Sequence, residues 1–196
     1  MQRMAFWLVF LWSSWTIILP VSSNAQQVET PVYRDGDSWR VKVDVSHSGI
    51  SRSGRCEEMY SEYLVKIENG KLKVYVSKTQ ETIDCPAITS QLLDKGEDRG
   101  FLKFPLRVGT SWSFQYQRGS PGTSRAAWVT AETKVSAWEK VKTEKGELEA
   151  YKIERAIGSD TETYWYAPAA KAIVLFDRKT ARVQRRVTLV DFNVKE

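Results

Sequence analysis

The chain has 196 residues, with 29 basic and 24 acidic side chains, a formal net charge of +5 and 42% hydrophobic residues. This length suits a single domain that buries about two thirds of its unfolded surface. The single histidine, His47, argues against a histidine-based metal cluster, and the Gly-x-Ser-x-Gly turn of serine hydrolases does not occur in the sequence. We therefore predict no metal, no cofactor and no catalytic residue.

The first 25 residues have the pattern of an export signal. Arg3 precedes an apolar stretch over about residues 5–19, and Ser23-Asn24-Ala25 fits the small-x-Ala rule of signal peptidase. The alternative is an uncleaved membrane anchor, but Pro20 and several hydroxyl side chains make the stretch a poor span. We predict cleavage near Ala25, a periplasmic or secreted location, and one β-rich domain over residues 26–196 that does not cross a membrane.

Strict alternation of apolar and polar residues predicts the first strands, over 39–45, 59–67 and 71–79. Asn69-Gly70 is a strong hairpin signal, and it predicts cross-strand partners whose numbers sum to 139. The residue numbers of Cys56 and Cys85 sum to 141, so this register brings the two cysteines together at the open end of the hairpin. In an oxidising compartment such a pair forms a structural disulfide.

The remaining elements also read as antiparallel strands. Residues 86–93 favour one short helix, with Ile88 and Leu92 four apart. Further strands are expected at 112–117, at 127–137 with Ala131, Val135 and Ala137 on one face, and at 147–157. A hairpin across Pro168 and a last strand over 181–194 complete the chain. We predict an all-β antiparallel meander that forms one strongly curved sheet or half-barrel.

A four-residue motif occurs once in each half of the chain. Residues 36–39 (GDSW) and 109–112 (GTSW) both read Gly-x-Ser-Trp, and each opens an alternating strand. Either the match is chance, or the chain contains a pseudo-repeat of two β units, 33–98 and 101–196.

Aromatic side chains are the main candidates for ligand binding. Tyr164, Trp165 and Tyr166 either form part of the core or line a site for a sugar or lipid tail, since such rings bury large apolar area and carry a polar tip. Because the hairpin around them is apolar on both faces, the core interpretation is favoured. The candidate ligand-binding residues are Trp112, Phe114, Tyr116, Tyr164 and Tyr166.

Charged residues support two weaker hypotheses. Asp160 and Glu162 share a strand face and could act as the paired carboxylates of a glycan hydrolase. Two basic stretches, between Asp98 and Glu132 and between Asp177 and Asp191, could form a positive face for anionic glycans, lipid headgroups or an acidic protein, although a solvated surface with edge-strand protection is the favoured interpretation. The candidate basic face comprises Arg107, Arg118, Arg125, Arg182 and Arg186.

Three segments together resemble a family of exported bacterial β-rich domains of unknown function. They are residues 104–112 (FPLRVGTSW), 146–153 (GELEAYKI) and 164–168 (YWYAP). The resemblance covers roughly residues 100–178 and implies a periplasmic location and a curved sheet, but brings no catalytic residues.

These observations favour a non-enzymatic binding module of the cell envelope. Its expected partner is an apolar or anionic small molecule, an anionic glycan or an envelope protein, and not nucleic acid. The alternatives are a hydrolase of envelope or capsule glycans and a structural module that uses the basic face.

Overall fold

The computed structural model of the chain describes residues 27–47, 56–93, 102–118, 127–180 and 183–196. The predicted signal segment lies outside these ranges. The described part contains two helices, α1 (Cys56–Met59) and α2 (Pro86–Leu93), a single 3-10 turn (Pro168–Ala170), and ten strands: β1 (Ser38–His47), β2 (Glu62–Glu68), β3 (Lys71–Val76), β4 (Thr82–Ile83), β5 (Ser111–Arg118), β6 (Ala127–Thr143), β7 (Gly146–Ile157), β8 (Asp160–Ala167), β9 (Ala172–Lys179) and β10 (Val183–Asn193).

All ten strands form one antiparallel sheet, which confirms the predicted all-β meander. The strand order is β4-β3-β2-β1-β10-β9-β8-β7-β6-β5, so every neighbour except the β1–β10 pair is also adjacent in sequence. The sheet is open in the described part of the chain, and β4 and β5 are its two edges. Alternation along most strands sends one set of side chains to an inner, buried face and the other set to solvent, whereas β9 begins with three consecutive buried residues, Ala172, Ile173 and Val174.

The first hairpin has the predicted register. Tyr63 pairs with Val76 and Glu68 with Lys71, so partner numbers sum to 139. Asn69 and Gly70 both have positive φ, 52° and 71°, which is the conformation that a two-residue type I′ turn requires. At the open end Cys56 and Cys85 form a disulfide with Cα atoms 5.6 Å apart.

The sheet curls around its core, and distant parts of the chain meet across it. The Trp39 indole, fully buried on β1, donates a 2.7 Å hydrogen bond to the carbonyl of Ala170 beyond β8. Lys145, in the turn between β6 and β7, forms a 2.9 Å ion pair with Asp191 of β10, although β7 and β6 are three and four strands from β10 in the sheet order. Helix α2 lies against β9, and all its residues from Ile88 to Leu93 are buried.

The two Gly-x-Ser-Trp motifs adopt the same local backbone structure. In both motifs a backbone N–H donates a hydrogen bond to the carbonyl of the arginine three residues earlier. The distance is 3.0 Å from Asp37 N to Arg34 O and 3.1 Å from Thr110 N to Arg107 O. Gly36 and Gly109 have φ of 91° and 90°, which suits the third position of a type II turn.

The same glycines begin a bulge. Gly36 N–H donates to Ile67 O while Ile67 N–H donates to Asp37 O, and Gly109, Thr110 and Val135 repeat this pattern. The turn and bulge therefore account for the shared glycine of the two motifs; division of the chain into two related units stays a prediction.

Two local expectations need correction. The prediction that Ala137 shares a face with Val135 is wrong, because the register shifts between them: Val135 pairs with Ile153, but Ala137 pairs with Lys152, whose side chain lies on the opposite face. The predicted strand at 59–67 starts later, at Glu62, since α1 ends only at Met59. Among the described residues, no helix combines the length and the apolar character that crossing a lipid bilayer requires.

Candidate functional site

A line of charged side chains crosses the inner face of the sheet between apolar neighbours. Each residue of the line pairs directly with the next one on the adjacent strand, so all of them share one face. On the β7 side it continues through Thr133 of β6 to Trp112 of β5. We call its charged part the charge row; from β10 to β7 it consists of Arg185, Arg178, Glu162 and Arg155.

Glu162 is the centre of the charge row. Arg155 Nη1 lies 3.6 Å from one of its carboxylate oxygens and Arg178 Nε 3.4 Å from the other. The Tyr164 hydroxyl also donates to Glu162 and lies 3.4 Å from Arg155 Nη1. The Arg155 and Glu162 side chains are only 2% and 7% exposed, so each needs the other to offset the loss of hydration.

The row extends toward β10 with a surplus of positive groups. Arg178 Nη2 also reaches Asp160, 3.4 Å away, and Arg185 donates a 2.6 Å hydrogen bond to the side-chain oxygen of Gln91 on α2. The row and its neighbour Asp160 therefore contain three guanidinium groups and two carboxylates.

The aromatic side chains of edge strand β5 adjoin the charge row. Trp112, Phe114 and Tyr116, which we call the β5 aromatic row, lie on the inner face and are half-buried. The Arg155 guanidinium carbon lies 4.7 Å from the Phe114 ring centroid and 5.5 Å from that of Tyr116. This is cation–π distance, so the β5 aromatic row packs directly against the Arg155 end of the charge row.

Thr133 lies between the two rows and has a polar atom to offer. Its residue is 2% exposed, and its hydroxyl oxygen has no hydrogen-bond partner in the described part of the chain. A buried hydroxyl without a partner costs about 1–3 kcal/mol, so a bound polar group that reached it would be favoured.

The remaining predicted aromatic residues lie deeper. Tyr164 and Tyr166 are 0% and 1% exposed, and Trp165 is half-buried on the opposite face, where its indole donates to Glu139 at 2.7 Å. Burial is the main cause that raises the pKa of Tyr164 and of Tyr166 well above the ordinary tyrosine value. Both hydroxyls thus stay protonated at neutral pH, and both rings pack in the core.

A shallow groove of about 870 Å³ lies over strands β5 to β8. Its exposed walls come from outer-face side chains such as Ser113, Glu132, Lys134 and Glu154, while the side chains of Thr133 and Arg155 are buried on the other face. The groove therefore has walls of mixed charge, and Trp112, Thr133, Arg155 and Glu162 are also among the residues that line it.

The carboxylates proposed for glycan hydrolysis are both engaged by arginine. Asp160 pairs with Arg178, and Glu162 with Arg178 and Arg155. Both carboxylates are therefore held in ion pairs, whereas the hydrolase mechanism needs them free to face a sugar. No group of three or more histidine, cysteine, aspartate or glutamate side chains suited to a metal ion occurs in the described ranges.

The candidate basic face is only partly within the described residues. Arg107 is exposed, and Arg186 is exposed but paired with Asp177 at 2.8 Å. The side chain of Arg118, at the end of β5, and the whole of Arg125 and Arg182 lie outside what the structure describes. A common basic surface therefore stays a prediction.

The charge row is the feature that the sequence interpretation missed. The sequence does contain a pattern that indicates it. Arg155 lies between Ile153 and Ile157, and Glu162 lies two residues before Tyr164, so both charges occupy inward positions of apolar strands. Strand alternation alone placed these charges inside, but only the register across β7 to β10 brings them together.

No family model matches the chain, and no curated protein matches it significantly. Solved structures to which the chain is similar include the hypothetical lipoprotein YmcC of Escherichia coli K12, with a TM-score of 0.42 and 10% identity over 79% of this chain and 84% of that one. A candidate exported protein of Bacteroides fragilis, described as having a YmcC-like fold, has a TM-score of 0.36 and 11% identity over 86% of this chain and 100% of its own. A candidate lipoprotein of Parabacteroides distasonis has a TM-score of 0.32 and 8% identity, with the same two coverages.

Proposed function

We propose that this chain is an exported, non-enzymatic binding protein of the bacterial cell envelope, and that it binds an amphipathic anion at the β5 aromatic row. Such a ligand has an apolar body and a carboxylate, sulfate or phosphate head. The export signal predicted over residues 1–25 and the disulfide between Cys56 and Cys85 support an extracytoplasmic location.

The observation that carries the proposal is the contact between half-exposed aromatic rings and buried charge. Trp112, Phe114 and Tyr116 offer apolar rings at the open edge of the inner face, and Arg155 lies directly behind two of them. Ligand sites in proteins combine a mostly apolar lining with a few placed polar groups, and this surface has that composition.

The head of the ligand would meet Thr133 and the guanidinium groups. The Thr133 hydroxyl has a proton to donate, and the Arg155 guanidinium behind the Phe114 and Tyr116 rings favours an anion. The tail would lie along Phe114 and Tyr116. A neutral molecule of the same size gains binding free energy only from the apolar contacts. The charge of the head is therefore the expected basis on which the site selects an anion over a neutral molecule.

A titration of the oxidised protein with dodecyl phosphate, below its critical micelle concentration, tests this proposal. Dodecyl maltoside is the neutral comparison, and tryptophan fluorescence reports binding. We expect the anion to bind at least about tenfold more tightly than the neutral amphiphile, a difference of about 1.4 kcal/mol. Equal affinity for both, or no binding of either, would contradict the proposal.

Two substitutions locate the site. Phe114→Ala should weaken dodecyl phosphate binding by about tenfold or more, whereas Trp128→Ala should not change it, because Trp128 is 72% exposed on the outer face of β6. Thr133→Val should also weaken binding while leaving the ligand-free protein as stable as before or more so, since it removes a buried hydroxyl without a partner in the described residues.

A further inference from the structure

The two edges of the sheet differ in a way that bears on association. β4 contains only two residues, Thr82 and Ile83, whereas β5 runs for eight, Ser111–Arg118. Proteins protect sheet edges with short strands, proline, lysine or bulges. β4 is protected by its shortness. β5 has no proline and no lysine, and its one charged residue is Arg118 at its end.

The backbone of β5 presents an alternating row of hydrogen-bonding groups at this edge. Val135 of β6 donates to the carbonyl of Thr110, so every second residue from Thr110 onward directs its N–H and C=O toward β6. The residues between them direct theirs toward the open edge of the described sheet: Ser111, Ser113, Gln115 and Gln117.

The sequence of β5 is symmetric in character about Phe114. Aromatic residues, Trp112 and Tyr116, lie two positions before and after it, and polar residues, Ser113 and Gln115, lie on its immediate flanks. An antiparallel pair of identical strands centred on Phe114 has partner numbers that sum to 228. Ser113 then faces Gln115 and Ser111 faces Gln117, and these are the residues whose backbone groups point outward.

We propose that two copies of this chain associate through the open edges of β5, antiparallel and centred on Phe114, so that one sheet runs through both copies. The interface is isologous, as in most homodimers. The centred register makes four hydrogen-bonded residue pairs, which a register shifted by one residue cannot make because inward- and outward-directed groups would then face each other. This inference does not depend on the proposed ligand.

The side chains support the same register. Residues directly opposite in an antiparallel pair share a face, so Trp112 lies opposite Tyr116 of the second copy and Phe114 opposite Phe114. The two β5 aromatic rows then adjoin edge to edge on the inner face and form one aromatic surface that runs across both copies. The Arg118 positions lie at opposite ends of the paired strands, which limits repulsion between the two positively charged chains.

Sedimentation velocity of the ligand-free, oxidised protein over a wide concentration range tests the association. We expect a reversible monomer–dimer equilibrium. Gln115→Pro removes an N–H that points to the open edge and should raise the dissociation constant by about tenfold or more, while Gln115→Ala, which keeps the N–H, should change it little. A wild-type protein that stays monomeric throughout, or a proline variant that dimerises as well as the alanine variant, would overturn the proposal.

Disulfide trapping tests the register and does not rely on a proline variant. In the centred dimer the two Phe114 positions form a non-hydrogen-bonded pair with Cα atoms about 4.5 Å apart, within disulfide range. The two Ser113 positions are diagonal, about 7–8 Å apart. Phe114→Cys should therefore form a covalent dimer under mild oxidation and Ser113→Cys should not. Equal trapping at both positions, or trapping at Ser113 alone, would contradict this register.

Discussion

The Arg155 guanidinium and the Glu162 carboxylate lie 3.6 Å apart on neighbouring strands, with side chains only 2% and 7% exposed. Glu162 also accepts a hydrogen bond from the Tyr164 hydroxyl and forms an ion pair with Arg178. One carboxylate therefore interacts with two guanidinium groups and one hydroxyl. A buried pair of this kind contributes little net stability by itself, but removing one partner leaves an uncompensated charge.

Glu162→Ala should therefore lower the free energy of unfolding by about 3 kcal/mol or more. Chemical denaturation measures the effect. Glu154→Ala is the matched control, because Glu154 lies on the adjacent strand but is exposed, and its ion pair with Lys152 is a surface pair worth about 1 kcal/mol or less. Similar losses in the two variants would show that burial of the charge row is not important for stability.

Reduction of the disulfide should destabilise the protein without changing the sheet. Cys56 and Cys85 are separated by 29 positions, and closing a loop of that length contributes about 3–4 kcal/mol in the loop-entropy model. The double variant Cys56→Ala, Cys85→Ala should show this loss in urea denaturation while its far-ultraviolet spectrum stays that of a β protein. Thiols that react freely in the native exported protein would contradict the assignment.

Alkaline pH should unfold the protein through its buried tyrosines. Burial raises the pKa of Tyr164 and of Tyr166 above the ordinary value of 10.0, so the native state favours their neutral form. The stability that they contribute is complete below that ordinary value and is lost as the pH rises from it through the folded-state values. Unfolding free energy should thus fall above about pH 10, and tyrosinate absorbance should show that at least two groups ionise only on unfolding. Full ionisation of all tyrosines in the folded state would contradict this.

The turn before β5 should depend on the positive φ of Gly109. Open space surrounds the position where a Cβ would lie, so Gly109→Ala adds conformational strain without a steric clash and should cost about 1 kcal/mol. Gly109→Asn should cost less, because asparagine tolerates this conformation better. Thermal unfolding of the pair measures the difference; equal melting temperatures for both variants and the wild type would show that the turn is not specific.

Alternation and turn residues were sufficient to predict the architecture. The run from Trp39 to Val45 gave the buried face of β1, Asn69-Gly70 gave the register of the first hairpin, and that register placed the two cysteines together. These features are local, since each depends on strand periodicity or on the conformational preference of one dipeptide.

Long-range features could not be predicted in this way. The bulge after Val135 moves Ala137 to the opposite face, and no residue in the strand pattern signals it. The charge row depends on the register of four strands, from Arg155 to Arg185, and a one-residue slip at any step would separate its members. The candidate site was therefore predicted for the aromatic residues of β5 but not for the arginine behind them.

Native mass spectrometry of the protein released from its own cell envelope tests the central claim most directly. The account predicts a bound amphipathic anion that is present on the wild type and on Trp128→Ala. The anion should be absent or much reduced on Phe114→Ala, which lacks the ring that contacts Arg155. A wild-type mass equal to that of the bare mature chain or its bare dimer, or the same ligand retained by all three proteins, would contradict binding at the β5 aromatic row.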